Sequence, residues 1–271
     1  MPEQQLDLFS ASGIPVAQVL PQQPASFPAV TDLDDDALIA AIPTASLGDC
    51  AALTAEAARR KLADAIPALE ALCRSFAGFG IERVVPEQSV ALRALGEIGG
   101  RDAAQAVALL IARGVVQGPT LGHAVAVAAQ LRVALPADRL RSLLLHADPL
   151  IRADACRCAR RRPELITVMI DLLDDLNHAV ARAAACALGQ MGRIEARPML
   201  ICLLGDEPSE DLIDAISSVA DEECIVLLGR VARNIPALSD AALDALEGID
   251  HHRANAIANA IRGAAKEQHA R

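Results

Sequence analysis

Apolar segments rich in alanine and leucine recur along the chain, and each is followed by a short break. Residues 91–99 (ALRALGEIG) match residues 184–192 (AACALGQMG), and residues 242–246 (ALDAL) return to the same phase. The first two segments lie a whole number of repeats apart if the period is roughly 31 residues. A fixed period in this range is typical of a solenoid built from one repeated supersecondary unit.

A second apolar pattern follows the first within each unit. Residues 65–72 and residues 196–203 share the pattern A-x-P-x-L-x-x-L. We therefore interpret each unit as two helices, A and B. Gly99 and Gly192 suit the end of helix A, because glycine adopts the left-handed conformation common after helix C-termini. The pair at 148–149 (DP) suits the start of a unit, since aspartate caps a free amide and proline tolerates the first turn.

Stacking of such units explains how the chain buries its apolar residues. A single hairpin is too small to bury its apolar face, whereas stacked neighbours share a continuous core. Small alanines on helix A allow close approach, and larger aliphatic residues on helix B fill the seam. We predict an all-α fold, a right-handed α-solenoid of about seven hairpins, whose B-helix face binds a protein. The predicted units are 46–80, 81–114, 115–147, 148–174, 175–205, 206–234 and 235–263.

The start of one unit carries a family signature. Residues 148–155 (DPLIRADA) resemble the acid-then-Val-Arg pattern of HEAT repeats in their short bacterial form, the PBS-lyase HEAT-like repeats. The resemblance covers residues 46–263 and implies a HEAT-like α-solenoid in which aspartate and arginine form a hydrogen-bonded ladder between neighbours. In the next unit Val180 is followed by Ala181, and the arginine is displaced to Arg182. This departure puts a continuous ladder in question.

The composition favours helices and limits the function. The chain is 53% hydrophobic but has no Trp, no Tyr and only four Phe, whereas sheets favour aromatic and β-branched residues. The formal charge is −10, yet no Lys or Arg precedes Arg59. Eight acidic residues precede Arg59 and account for most of the net negative charge. The nearly neutral remainder lacks the large basic field that is typical of nucleic-acid-binding proteins.

Cysteine use and hydropathy indicate a reducing, aqueous environment. Seven cysteines in an apolar helical pattern suggest buried thiols rather than a disulfide framework. Cys156 and Cys158 are two residues apart, which sends them to different helix faces, so we predict no metal site. No signal peptide opens the chain, and the charge-free residues 114–131 include polar residues that suit a buried helix better than a membrane span. We expect a cytoplasmic protein.

The N-terminal region differs from the repeats. Residues 1–31 lack a periodic apolar face, so we predict a disordered tail before a solenoid over residues 32–271. Part of this tail resembles the peptide by which bacterial replication and repair proteins dock on the DNA sliding clamp. The resemblance implies that the glutamine bonds at a pocket rim while leucine and phenylalanine fill apolar pockets. The alternatives are a chance match and a tail that folds back on the solenoid. The residues concerned are Gln5, Leu6, Asp7, Leu8 and Phe9.

Arginines recur near the predicted turn between helices A and B. Because the turns stack in register, we expect these side chains to line one edge of the solenoid, interrupted in the sixth unit by the acidic residues 221–223. Such an edge suits phosphate groups or an acidic partner. The alternative is that the cations only stabilise helix C-termini through the helix dipole. The predicted residues are Arg59, Arg60, Arg101, Arg132, Arg157, Arg160, Arg161, Arg162 and Arg193.

No residue pattern points to catalysis or to a cofactor. The acidic cluster at 32–36 suits helix capping, and adjacent His251 and His252 cannot face one ligand from a helix. The glycines within 96–100 follow a helix, whereas the glycines of a phosphate loop follow a strand.

We therefore predict a non-enzymatic protein-binding scaffold without a cofactor. As an adaptor, it would be tethered to the sliding clamp through residues 5–9 during replication or repair. One alternative is a HEAT protein of the phycobilin-lyase type, which the resemblance to PBS-lyase repeats suggests. Another is a protein that binds the DNA backbone along its arginine edge, a mode that predicts steep salt dependence.

Overall fold

The computed structural model describes the backbone of residues 30–269 and the side chains of residues 30–264. Over this range the chain forms helices joined by short connections, with no strand. A first helix, α1 (Asp35–Ala41), precedes seven hairpins, each made of an A helix and a B helix. The A helices are α2 (Leu47–Arg59), α4 (Pro86–Ile98), α6 (Gly118–Gln130), α8 (Pro149–Cys158), α10 (His178–Gln190), α12 (Glu210–Ser217) and α14 (Ser239–Gly248). The B helices are α3 (Ile66–Ser75), α5 (Gly100–Ala112), α7 (Ala137–Leu144), α9 (Ile166–Asp171), α11 (Arg197–Asp206), α13 (Glu222–Asn234) and α15 (His252–His269).

Successive hairpins stack on each other, which confirms the predicted α-solenoid. Every A helix packs against the A helix of the next hairpin, from α2 through to α14. B helices also meet across hairpins, as α3 meets α5 and α11 meets α13. A single apolar cluster extends from Leu38 to Ala258. The buried surface is therefore shared between neighbours, as expected for a repeat array.

Polar caps begin several helices at the predicted breaks. The Asp148 carboxylate accepts a 2.8 Å bond from the Leu150 amide at the start of α8. Asn177 accepts from the Ala179 amide at 3.0 Å at the start of α10. Each cap satisfies one of the amides that the first turn of a helix leaves unpaired. The sequence breaks between units are thus helix starts.

Small residues on the A helices allow close approach, as at Gly189. A Cβ atom at Gly189 would lie 2.7 Å from Leu200 Cδ1 and 2.9 Å from the Ala215 carbonyl oxygen. Both distances are below any ordinary contact, so α10 and α12 fit only because position 189 has no side chain. At Gly122 a Cβ atom would lie 3.7 Å from Ile151 Cγ1, an ordinary contact.

The arginine ladder continues across the displaced position. Arg152 binds the Asp175 carboxylate of the next hairpin through two 2.9 Å bonds. One hairpin further, Arg182 reaches Glu207 at 2.8 Å and the Ser209 hydroxyl at 3.1 Å. The displaced arginine therefore finds a longer acid in the next connection, and the link between neighbours is kept.

The row of A helices forms one face of the solenoid, which we call the A-helix face. Arg160, in the turn after α8, places its Nη2 atom 3.8 Å from Asp211 Oδ1 on α12. This pair bypasses the intervening helix α10, so residues of two non-adjacent hairpins meet on the A-helix face. The sequence analysis assigned protein binding to the B-helix face, which stays a prediction. Among the described helices, none is both long and apolar enough to cross a bilayer.

Candidate functional site: an arginine-lined groove

Several grooves lie on the A-helix face. One of about 330 Å³ lies between α4 and α6, and one of about 550 Å³ lies between α12 and α14. Between them, two adjoining grooves of about 360 Å³ and 430 Å³ are lined by residues of the third to sixth hairpins. A groove of about 480 Å³ on the B side is lined by residues such as Ile201 and Leu227. The A-helix face therefore carries a series of grooves from α4 to α14.

The end of α8 places a cluster of arginines in the two central grooves. The helix ends at Cys158, where the Ala159 amide bonds to the carbonyls of Ala155 and Cys156. Arg162 precedes Pro163 and has φ −121° and ψ 82°, because a residue before proline is disfavoured in the helical region. The chain consequently turns over residues 160–162. The partial negative charge of the helix C-terminus favours cations there.

Contacts to neighbouring groups fix three of these side chains. Arg162 Nη2 donates a 2.7 Å bond to the Leu135 carbonyl of the preceding hairpin. Arg157 pairs with Asp154 one turn earlier on α8. Arg160 is held more loosely, with its Nη2 atom 3.8 Å from Asp211.

Two further arginines have no ion pair with any residue whose side chain the structure describes. Arg161 lies in the same turn, and Arg132 lies in the turn after α6 with a left-handed φ of 53°. Both side chains are exposed and line the 430 Å³ groove. A guanidinium binds a carboxylate through two parallel hydrogen bonds. These two arginines are therefore the groups that an incoming anion meets first.

The central grooves carry mixed charge with a positive excess. The two volumes share Arg132, Arg157, Arg160 and Asp211 in their walls. Five arginines face three aspartates across the combined surface. The charged and amide side chains that line it are Arg132, Arg157, Arg160, Arg161, Arg162, Gln130, Gln190, Asp154, Asp211 and Asp214.

The other predicted edge arginines do not join this groove. Arg59 and Arg60 each bond to Glu56 at 2.7 Å, and these two hydrogen bonds lower the pKa of that carboxyl to about 2. Arg60 also donates to the Leu33 carbonyl and to Asp35, and so fastens the start of α1 to α2. Arg193 pairs with Glu195 at 2.6 Å.

Arg101 is exposed at the start of α5, outside the groove walls. Of the nine predicted arginines, the structure therefore brings together the five at positions 132, 157, 160, 161 and 162.

Five polar lining residues were absent from the sequence prediction, and three of them come from the fifth and sixth hairpins. Asp211 and Asp214 belong to α12, and Gln190, the last residue of α10, donates a 2.7 Å bond to Asp214. No spacing along the chain signals the proximity of these three to the arginines, because the residues come from different hairpins.

The predicted clamp peptide, Gln5 to Phe9, lies outside the described residues.

Among the described side chains no three His, Cys, Asp or Glu residues gather as metal ligands. Burial raises the pKa values of the Cys73 and Cys156 thiols to about 12, so these thiols stay protonated and unreactive. The groove walls carry charged and amide side chains mounted on helices and their turns.

Part of the chain matches a known repeat family. Residues 137–220 match the family model described as HEAT repeats. Among solved structures, the crystal structure of an engineered protein from the Northeast Structural Genomics Consortium is 18% identical, with a TM-score of 0.47. The match covers 79% of this chain and 67% of that one. No curated protein shows significant similarity. The central hairpins, which contribute most of the arginine-lined groove, are therefore similar to HEAT repeats.

Proposed function

We propose that the protein is a non-enzymatic scaffold that holds an acidic segment of a partner protein in the arginine-lined groove. The observation that carries the proposal is the convergence of five arginines on one groove of the A-helix face. Arg132 and Arg161 are the primary contacts, since neither is committed to a carboxylate among the described residues. HEAT-type scaffolds suit such a role, because stacked repeats form an extended binding surface.

The charge pattern of the groove favours a protein segment over a nucleic acid backbone. Asp154, Asp211 and Asp214 lie among the arginines, and they would repel an evenly spaced row of phosphates. A polypeptide can place carboxylates beside the arginines and neutral or basic side chains beside the aspartates. The arginines at positions 59, 60 and 193 are also paired with acids, which divides the basic edge that a duplex would follow.

A binding experiment with a labelled acidic peptide tests this proposal. The probe is a fluorescein-labelled peptide that combines glutamates with a few lysines, titrated with the full-length protein and followed by fluorescence anisotropy. We expect Arg132→Gln with Arg161→Gln to weaken binding at least tenfold, because each charge-assisted contact contributes about 1.5–3 kcal/mol. The matched control is Arg113→Gln with Arg233→Gln, which removes the same charge at exposed sites outside the groove.

Three results would contradict the proposal. Equal weakening by the control pair would mean that only net charge matters. No binding of the probe to the unaltered protein would remove the basis for the groove as a carboxylate site. Tighter binding of duplex DNA than of peptide, with a steep salt dependence that the groove substitutions abolish, would instead favour the DNA-backbone alternative.

The adaptor role requires a second contact, which we assign to residues 5–9. Its support is the sequence Gln-Leu-Asp-Leu-Phe itself. Short docking peptides bind by placing apolar side chains in pockets of a folded partner. Calorimetry of the full-length protein with a bacterial sliding clamp should show binding that Leu8→Ala with Phe9→Ala abolishes. Unchanged heat with that variant would remove the tether while leaving the groove proposal intact.

A further inference from the structure

Large exposed apolar side chains gather on one edge of the solenoid. This edge, where B helices connect to the next A helices, is opposite the arginine-bearing turns. Among the described residues, eight large apolar side chains are exposed, and seven of them lie on this edge. The eighth, Ile194, lies on the arginine-bearing side. The seven are Leu47, Phe79, Ile81, Val84, Leu145, Leu150 and Leu176.

Three of these side chains form a rigidly mounted group around the Arg152–Asp175 ion pair. Leu145, Leu150 and Leu176 are 67%, 66% and 102% exposed. Arg152 donates 2.9 Å bonds to the carbonyls of His146 and Ala147 as well as to Asp175. Leu145 and Leu176 each adjoin a residue bonded to this guanidinium, and Leu150 is two residues from Arg152 itself.

The connections that carry the leucines are fixed by further bonds. Asp148 caps the Leu150 amide at 2.8 Å, and Asp175 accepts the Asn177 amide at 2.8 Å. Because these connections are already ordered, a partner that covers the leucines loses little chain entropy at this surface. Exposed apolar side chains on a preorganised surface are a common mark of an interaction site.

The charged groups around the three leucines are mainly acidic. Asp148, Asp171 and Asp174 are exposed, and none forms an ion pair with a described residue. The guanidinium of Arg152, which bonds to both connections, is committed to Asp175. The surface thus combines apolar anchors with uncompensated negative charge, which is complementary to an apolar stripe flanked by cations.

We propose that this apolar edge binds a basic amphipathic helix of a partner protein, independently of the arginine-lined groove. Leucines at positions 145, 150 and 176 contact the apolar stripe of that helix, whose residues recur every three or four positions. The aspartates at 148, 171 and 174 face its flanking Lys or Arg residues. The scaffold then joins two partners of opposite charge, one at the groove and one at this edge.

The test uses two synthetic peptides of identical Leu and Lys content and about 15–18 residues. In the first peptide the leucines occupy one helical face, and in the second they are scattered around the helix. Each is labelled with fluorescein and titrated with the full-length protein. We expect the amphipathic peptide to bind and the scattered peptide to bind at least tenfold more weakly.

Substitutions separate apolar docking from simple charge attraction. Leu176→Asp adds an attractive charge for a basic peptide, so a purely electrostatic site would bind it more tightly. Apolar docking predicts the opposite, a loss of about tenfold or more, because the buried leucine contact disappears. Asp171→Asn with Asp174→Asn should weaken binding and flatten its salt dependence. Ile194→Asp, a matched change on the arginine-bearing side, should leave the affinity unchanged.

Several outcomes would overturn the inference. These are absence of binding to the unaltered protein, equal binding of both peptides, and unchanged or tighter binding by Leu176→Asp. Sedimentation that shows self-association lost in Leu176→Asp would assign the edge to a second copy of this chain instead. Variants of Arg132 and Arg161 should bind the basic peptide normally, so failure of the groove proposal and failure of this one are distinguishable.

Discussion

Gly189→Ala directly perturbs the contact between two A helices. The added Cβ would lie 2.9 Å from the Ala215 carbonyl oxygen and 3.0 Å from Ala215 Cβ. Both are atoms of Ala215 in α12 that side-chain rotation does not move, so a rotamer change cannot relieve the overlap. Helix α12 must move, and the seam with α10 opens.

The expected magnitude follows from two opposing terms. Alanine stabilises a helix interior relative to glycine by about 1 kcal/mol, and less near a helix end. Overpacking of a filled core costs about 1–3 kcal/mol. Because Gly189 is the next-to-last residue of α10, the gain is small, and we expect a net loss of about 1–2 kcal/mol.

Gly122→Ala is the matched control. It lies inside the A helix α6, and its new Cβ would lie 3.7 Å from Ile151 Cγ1. Here the helix gain and an ordinary contact act together, so we expect a stabilisation of about 0.5–1 kcal/mol. Urea denaturation followed by circular dichroism measures both changes, since the chain has no Trp or Tyr to report by fluorescence. A denaturation midpoint of Gly189→Ala at or above that of the unaltered protein would refute the close packing of α10 on α12.

Three further predictions concern the ladder, a carboxyl group and the thiols. Arg152→Ala should destabilise the protein by about 2–4 kcal/mol in urea denaturation, because it strands the mostly buried Asp175. Arg182→Ala should cost only about 0.5–1 kcal/mol, since Glu207 is 78% exposed, and equal losses would contradict this ranking. The pKa of Glu56 is lowered from 4.5 to about 2, so its stabilisation is present above pH 4.5 and disappears as the pH falls towards 2. The gap in midpoint between the unaltered protein and Glu56→Gln should narrow from about pH 6 to about pH 3, and a constant gap would count against the Arg59 and Arg60 contacts. Ellman's reagent should react quickly with the exposed Cys202 alone and with all seven thiols after unfolding, whereas several fast native thiols would contradict the burial of five others and the partial burial of Cys158.

The repeat architecture could be predicted because its determinants are local. Gly99 and Gly192 have φ of 74° and 71°, so the glycines that suggested helix ends do occupy the left-handed region. Asp148 caps the helix whose start it indicated. Each predicted unit corresponds to one observed hairpin, with α11 ending one residue and α15 six residues past the predicted boundary. Both helices of a hairpin and their breaks are encoded within about 31 residues.

The groove could be predicted only in part because it depends on contacts between hairpins. Asp211 meets Arg160 across the intervening helix α10, and a contact between residues of different hairpins has no signature in a single repeat. The pairing of Arg59 and Arg60 with Glu56 was accessible to sequence analysis, since the spacing is three and four residues on one helix. The ladder contact of Arg182 depends on Glu207, whose longer side chain compensates for the displacement.

The role of the larger aliphatic residues of the B helices could be predicted. They fill the seam between hairpins, as Leu69 and Leu110 do, each no more than 1% exposed. Binding at the B-helix face stays a prediction, whereas the arginine-lined groove lies on the A-helix face.

The central claim is that an acidic segment of a partner protein lies against the A-helix face at the arginine cluster. Amide chemical-shift mapping of the isotope-labelled full-length protein with the acidic peptide tests it most directly. The account predicts that the largest shifts fall on residues 130–134, 157–162 and 211–214, and that Arg132→Gln with Arg161→Gln removes them. Shifts concentrated on the B helices, or spread evenly over all exposed arginines, would contradict it.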